Sequence, residues 1–224
     1  GLDARPPWVL VVPSYGRPDR LRANTLAVLR RQGISPERIE VWLAPGRAPG
    51  QHVDELERYR CALMHDWPGI RLRVGVRGIR EQRWHIGLQY AEGTHIVSLD
   101  DDIEELSFKA TEGTTAGTLK TLPPSSLEAI VHHAHDLMLQ ENAYIWGFST
   151  SSQPRNMVVG NISRKNGFVN GFIYGWRVRH DPSLQSIFSS PTEDAERSVR
   201  FFAKDRVVLR YGMYCARTKF KAPA

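Results

Sequence analysis

Three consecutive carboxylates, Asp100, Asp101 and Asp102, close the short apolar run Ile96-Val97-Ser98-Leu99. Like charges at contact distance repel and raise one another's pKa, so such a triplet is costly unless something offsets it. At the carboxyl end of a buried strand, where open α/β sheets bind ligands, a hard divalent cation would do so. A solvated acidic loop leading into a helix is the other reading of the same residues. A second acidic pair, Glu193-Asp194, opens a helical pattern, where it either does chemistry or complements the helix N-terminus. His132, His133 and His135 invite a metal reading, but their i, i+1, i+3 spacing does not put all three on one helix face; a solvated face is expected.

The elements that must position these residues alternate. Trp8–Val12 reads as a buried strand, Arg20–Gln32 as an amphipathic helix stopped at Gly33, and Ile39–Leu43 as a second strand. A helix over Val53–Met64, a strand over Ile70–Val76 and a helix over Ile79–Ala91 follow, and the fourth strand runs into the Asp triplet. This alternation predicts an α/β fold with a mostly parallel sheet flanked by helices. No G-x-G-x-x-G follows the first strand and no G-x-x-x-x-G-K-[ST] occurs, which disfavours dinucleotide and P-loop readings.

Beyond Leu106 the alternation breaks. The segment 107–124 is rich in Thr, Gly and Pro and reads as a long mobile loop of the kind that serves as a lid. Ser125 and Glu128 have capping-box spacing ahead of a helix reaching about Glu141. Ala143–Phe148 reads as a strand, Met157–Ile162 with Phe168–Val178 as a small antiparallel extension, Thr192–Ala203 as a helix and Arg206–Tyr214 as a last strand. No internal repeat or linker divides the 224 residues, so a single domain is expected.

Composition narrows the class. With 41% hydrophobic residues the chain can bury a core, and no apolar run approaches the ~20 residues of a bilayer span, so no membrane partner is expected. Cys61 and Cys215 sit in apolar surroundings far apart in sequence and read as reduced core thiols of an intracellular protein; two cysteines are too few for a Cys-based zinc site. The net charge of +6 is concentrated toward Lys204–Lys221 and favours polyanionic or phosphate-bearing partners.

VVPSYGRPDRL at Val11–Leu21 resembles the V-x-P-[ST]-Y-x-R-P-x-x-L opening of GT-A glycosyltransferases, and GLQYAEGTHIVSLDDD at Gly87–Asp102 resembles their G-[IL]-x-x-A-x-G-x-x-[IV]-x-x-L-D-D-D segment. Thr192-Glu193-Asp194 is similar to the late E-D motif of inverting members. The resemblance implies a GT-A (Rossmann-like) fold in which 1–106 form a nucleotide-sugar-binding half and 125–224 an acceptor half. It implies a UDP-sugar donor and Mn²⁺ or Mg²⁺ held by Asp100 and Asp102, with Asp100 and Asp101 also available to the nucleotide. Pro13, Ser14, Tyr15 and Arg17 would hold the nucleobase and meet the phosphates. Asp194, with Glu193 beside it, would be the base that takes the acceptor proton. Family members often carry A-R-N-x-G before the Asp unit; here Gln82-Arg83-Trp84-His85-Ile86-Gly87 shifts the Arg by one and lacks the Asn. Arg83 is the donor-side candidate, with Arg77 and Arg80 competing, and the late metal-binding His of some relatives is absent.

The chain looks most similar to phage TET-associated and base J-type DNA glycosyltransferases. That implies a 5-hydroxymethylpyrimidine acceptor in DNA, in a phage-encoded enzyme of a host cytoplasm. Arg164, Lys165, Arg177, Arg179 and Lys219 would then contact phosphates, and Phe168, Phe172, Tyr174 and Trp176 an extruded base. A polysaccharide, protein or small-molecule acceptor is the alternative, and an inactive nucleic-acid-binding module a second one. Oligomeric state is left open.

Overall fold

The computed structural model describes residues 7–46, 51–165, 167–188 and 192–218, with side chains in the first helical turn from 51 left aside. Ten strands form one sheet in the order β3-β2-β1-β4-β9-β7-β10-β5-β6, with β8 paired to β10. The strands are β1 (Trp8–Ser14), β2 (Ile39–Leu43), β3 (Arg71–Val74), β4 (His95–Leu99), β5 (Ile103–Lys109), β6 (Leu119–Thr121), β7 (Ile145–Ser149), β8 (Ile162–Ser163), β9 (Ile173–Arg177) and β10 (Leu209–Thr218). β1 to β4 pair in parallel, as does β7 with β10, whereas β9, β5 and β8 run against their neighbours. Seven of the ten strands therefore share one direction, and the sheet is mixed and mostly parallel.

Both faces are covered, which is why the central strands read as unbroken apolar runs. Leu10, Val12, Val97 and Leu99 pack on one face with Leu26, Leu29, Leu127 and Val131. Val11 and Ile96 point the other way, into a core with Ile86, Trp176 and Phe201. The first face carries α1 (Pro18–Leu21), a π-helical turn at Arg22–Leu26, α2 (Ala27–Arg31), α3 (Gln51–Leu63) and α5 (Ser126–Gln140); α4 (Ile79–Leu88) and α6 (Glu193–Asp205) cover the second.

Several expectations are corrected. The segment 107–124 is not one loop: β5 runs to Lys109 and pairs with β6, leaving a short connection that closes through a 3₁₀ turn at Ala116–Thr118. Its Thr content suits an exposed edge strand as well as a loop. The antiparallel extension does run against its neighbours, but not as one hairpin, since β8 pairs with β10 and β9 with β4 and β7. β9 is inserted between β4 and β7, and Tyr174 and Trp176 are core residues there.

Ser125 does not act as a side-chain cap, because its backbone is left-handed (φ 60°); the amide of Leu127 is bonded by Gln32 Oε1 instead, at 3.0 Å. The three His of α5 are a solvated face only at His133, which is exposed; His132 is half-buried and His135 buried. His135 stacks on buried His95, His132 meets Trp8 edge-on, and His133 Nδ1 is 2.6 Å from the Tyr211 hydroxyl. Cys215 is buried as expected, but Cys61 is exposed on α3.

Candidate active site

Parallel strands end together, and here the ends of β1 and β4 deliver two loops to one place. β1 closes with Ser14, and Pro18 at the first position of α1 turns the chain away, leaving Tyr15-Gly16-Arg17 as a short exposed link. Gly16 has φ 68°, a conformation that a side chain would strain. The link is pinned from α3: Glu55 Oε1 accepts from the Gly16 amide at 2.7 Å, and the Tyr59 hydroxyl accepts from the Arg17 amide at 3.0 Å and meets Ser14 Oγ at 2.6 Å.

The Asp triplet leaves β4 in a tight turn into β5. Thr25, on the π-helical turn, accepts from the Ile103 amide at 3.0 Å and donates to the Asp100 carbonyl at 2.6 Å, bracketing the triplet. Each carboxylate then has its own cation. Buried Asp101 receives Ser14 Oγ at 2.6 Å and Arg17 Nη2 at 2.6 Å. Asp102 meets Arg20 at 3.0 Å and Arg17 at 3.9 Å. Asp100 meets Arg83 at 3.0 Å.

The charge crowding shows in the titration. Burial pushes the Asp100 carboxyl up to about 6, with Arg83 opposing and Asp194, Asp102 and Asp101 adding to the rise. Burial also raises Asp101, against the Ser14 hydrogen bond and Arg17.

Arg83, on α4, joins this triplet to the start of α6. Its Nη1 lies 2.7 Å from Asp194 Oδ1 and pairs with Glu193. Arg197 approaches the same two acids from one turn along α6, at 3.1 Å to Glu193 and 3.0 Å to Asp194. Asp194 Oδ2 accepts the Gly171 amide at 2.8 Å. Two donors on Oδ1 and one on Oδ2 leave a lone pair of Oδ2 unused, on a side chain 21% exposed to the cleft.

Pro13, Ser14, Tyr15, Arg17, Arg83, Asp100, Asp101, Asp102, Glu193 and Asp194 thus line a single cleft of about 560 Å³. Of the competing arginines, Arg77 lines it too, whereas Arg80 pairs with Glu81 and the Ile187 carbonyl behind it. Sequence reasoning missed Thr25, Tyr59, Glu55 and Arg20, which touch the site residues through the fold rather than through any motif.

No group of three or more His, Cys, Asp or Glu able to hold a metal ion is present among the described residues. The oxygen donors of Asp100 and Asp102, both partly exposed to the cleft, still fit a hard divalent cation of the kind that takes one or two carboxylates and completes its shell with phosphate oxygens and water.

Of the residues expected to grip DNA, Arg177 and Arg179 share one ring, and the three arginines have partners within the fold. Arg164 is tied to Glu141 at 2.6 Å, Arg177 stacks on Tyr144, and Arg179 sits on the same ring and pairs with Asp205 at 2.9 Å. Lys165 is exposed, and Lys219 lies outside the described residues. Of the aromatics, Tyr174 and Trp176 are core and stack on each other, Phe172 is partly buried, and Phe168 is exposed.

No protein-family model and no curated protein matches the chain. Solved structures do match its fold. S. aureus TarS residues 1–349 in complex with UDP-GlcNAc superimposes with a TM-score of 0.55 at 13% identity, over 96% of this chain and 59% of that one. Glucosyl-3-phosphoglycerate synthase from Mycobacterium tuberculosis, in complex with Mn²⁺, UDP-glucose and phosphoglyceric acid, gives 0.53 at 12% identity, over 96% and 73%. 4-Diphosphocytidyl-2C-methyl-D-erythritol synthase from Anaerococcus prevotii gives 0.50 at 10% identity, over 92% and 86%. The chain spans about three fifths of the TarS piece and has the fold of nucleotide-sugar glycosyltransferases.

Proposed function

We propose that the chain transfers a glycosyl group from a nucleotide-sugar, with UDP-sugars the first candidates, to a hydroxyl acceptor. The observation that carries this reading is the single cleft in which the Asp triplet faces the Ser14–Arg17 link on one side and Asp194 on the other. The Ser14–Arg17 link, pinned by Glu55 and Tyr59, receives the nucleotide. Asp100 and Asp102 would hold Mn²⁺ or Mg²⁺, which supplies Lewis-acid stabilisation of the growing diphosphate charge when bound.

Asp194 takes the acceptor proton on its unused Oδ2 lone pair, an arrangement typically worth ~10²–10⁴-fold. The acceptor oxygen bonds to the anomeric carbon from the face opposite the diphosphate. The bond to the diphosphate oxygen breaks, the nucleoside diphosphate leaves, and the anomeric centre inverts.

A saccharide, protein or small-molecule hydroxyl suits the surface better than DNA, because Arg164, Arg177 and Arg179 are already engaged within the fold. The test is mass spectrometry of acceptors incubated with the protein, Mn²⁺ and a panel of nucleotide-sugars. 5-Hydroxymethylcytosine DNA forms one arm, and glycan, peptide and small-molecule hydroxyls the others. A hexose- or N-acetylhexosamine-sized gain that is lost in Asp102→Ala and Asp194→Ala supports the reading, and the arm that gains names the acceptor. Absence of Mn²⁺-dependent nucleotide binding would overturn it in favour of an inactive nucleic-acid-binding module.

A further inference from the structure

Arg83 reaches its three carboxylates by passing directly over Gly171. A Cβ at position 171 would stand 2.7 Å from Arg83 Cζ and 2.8 Å from Nη1, and closer still to Nη2. These separations lie well inside ordinary contact between such atoms. Gly171 is not among the glycines with positive φ, so alanine would cost nothing in backbone strain there. The missing side chain is demanded by a neighbour and not by a turn.

The arginine cannot step aside cheaply. Arg83 is 9% exposed and is held by Asp100, Glu193, Asp194 and the Gly171 carbonyl. Moving it would leave the buried Glu193 and the partly exposed Asp100 and Asp194 each with one partner fewer, a penalty that is largest for the buried carboxylate. Gly171 also touches Asp194 by a second route, its amide donating to Oδ2 at 2.8 Å. Tyr174, three residues on in β9, supports the same assembly from below, with the Arg197 guanidinium 4.0 Å and that of Arg83 5.7 Å from its ring centre.

We propose that Gly171 is a positioning residue for the transfer reaction. Its bare Cα admits Arg83 to the place where one guanidinium holds Asp100 and Asp194 together, and its amide orients the Asp194 oxygen that takes the proton. The positioning role rests on the function proposed above; the steric seat does not.

The experiment is a double-mutant cycle of Gly171→Ala and Arg83→Ala, read by thermal unfolding and by transfer kinetics. Gly171→Ala is expected to lower Tm in the parent and to lower it far less in Arg83→Ala, where the obstructing guanidinium is gone. Equal shifts in both backgrounds would overturn the seat, and this readout stands even if the parent transfers no sugar.

In kinetics, kcat of Gly171→Ala is expected to fall roughly 10²-fold, the scale of a small misplacement of a catalytic group, with donor KM near the parent value. Adding Arg83→Lys, whose slimmer head group clears the new methyl, is expected to restore part of kcat. A raised donor KM with kcat retained, or no rescue by lysine, would overturn the positioning role.

Discussion

Ser14 donates its hydroxyl hydrogen to Asp101 Oδ2 at 2.6 Å, tying the end of β1 to the end of β4 through a carboxylate that is 1% exposed. Replacing Ser14 with Ala removes one of two donors from a buried charge. That change is expected to cost about 2 kcal/mol, or a Tm drop of about 4–8 °C for a chain of this size. Urea unfolding reads the first quantity and calorimetry the second. Titration with UDP and Mn²⁺ should show weaker binding, because Arg17 loses the partner geometry that fixes it.

Metal removal should separate activity from stability. The Asp triplet is already neutralised by Arg17, Arg20 and Arg83, so the fold does not need a cation to tolerate it. EDTA is expected to abolish donor turnover while leaving the Tm of the nucleotide-free protein unchanged. Asp102→Asn should reproduce the loss of Mn²⁺-dependent nucleotide binding with the Tm little altered.

Asp194→Asn keeps the shape while removing the charge and the proton acceptor; its single amide oxygen can accept from the two arginines or from the Gly171 amide, not from both. Transfer should fall by ~10²–10⁴-fold in kcat, with calorimetric UDP affinity retained. A matched loss of UDP binding would mean that Asp194 contacts the donor instead.

His95 makes a prediction away from the cleft. Burial pushes its pKa down to about 3, with His135, His132 and Arg177 adding to the effect, and Trp146 Nε1 donates to its Nε2 at 2.9 Å. The ring is therefore neutral in the folded state, whereas the unfolded chain protonates it below about 6.5. A depressed folded pKa makes stability full above that value and erodes it as pH falls toward 3. The loss from this group is roughly 2 kcal/mol between pH 7 and pH 5. His95→Gln, which can still accept from Trp146, should flatten that part of the stability-against-pH curve, measured by urea unfolding at each pH.

Where apolar periodicity decides structure, the sequence was readable. The runs around Leu10 and Val97 had to be buried strands, and the triplet after Leu99 had to emerge at a strand end. The position of β9 was not readable, because Ile173–Arg177 suits an edge hairpin as well as a central strand; only its long-range pairing to β4 distinguishes them. Arg83 showed the same limit within the cleft. Its likeness to the arginine of the family's A-R-N-x-G unit suggested a donor contact, but its partners Glu193 and Asp194 arrive from 110 residues or more downstream, and no local pattern encodes that meeting. Thr25 went unmarked, because the π-helical turn that aims its hydroxyl at the Asp100–Ile103 turn leaves no signature in residue type.

The insertion of β9 beside β4 also has a consequence for how the chain is made. While the first hundred residues emerge from a ribosome, the β4 edge has nothing to pair with, and its partner residues from Ile173 to Arg177 are still to be translated. An unpaired apolar strand edge invites association with other chains. Pairing across so long a sequence interval also slows folding. Production of the protein should therefore depend on the rate of translation and on chaperone supply, and a chain truncated before Ile173 should aggregate rather than yield a smaller nucleotide-binding fragment.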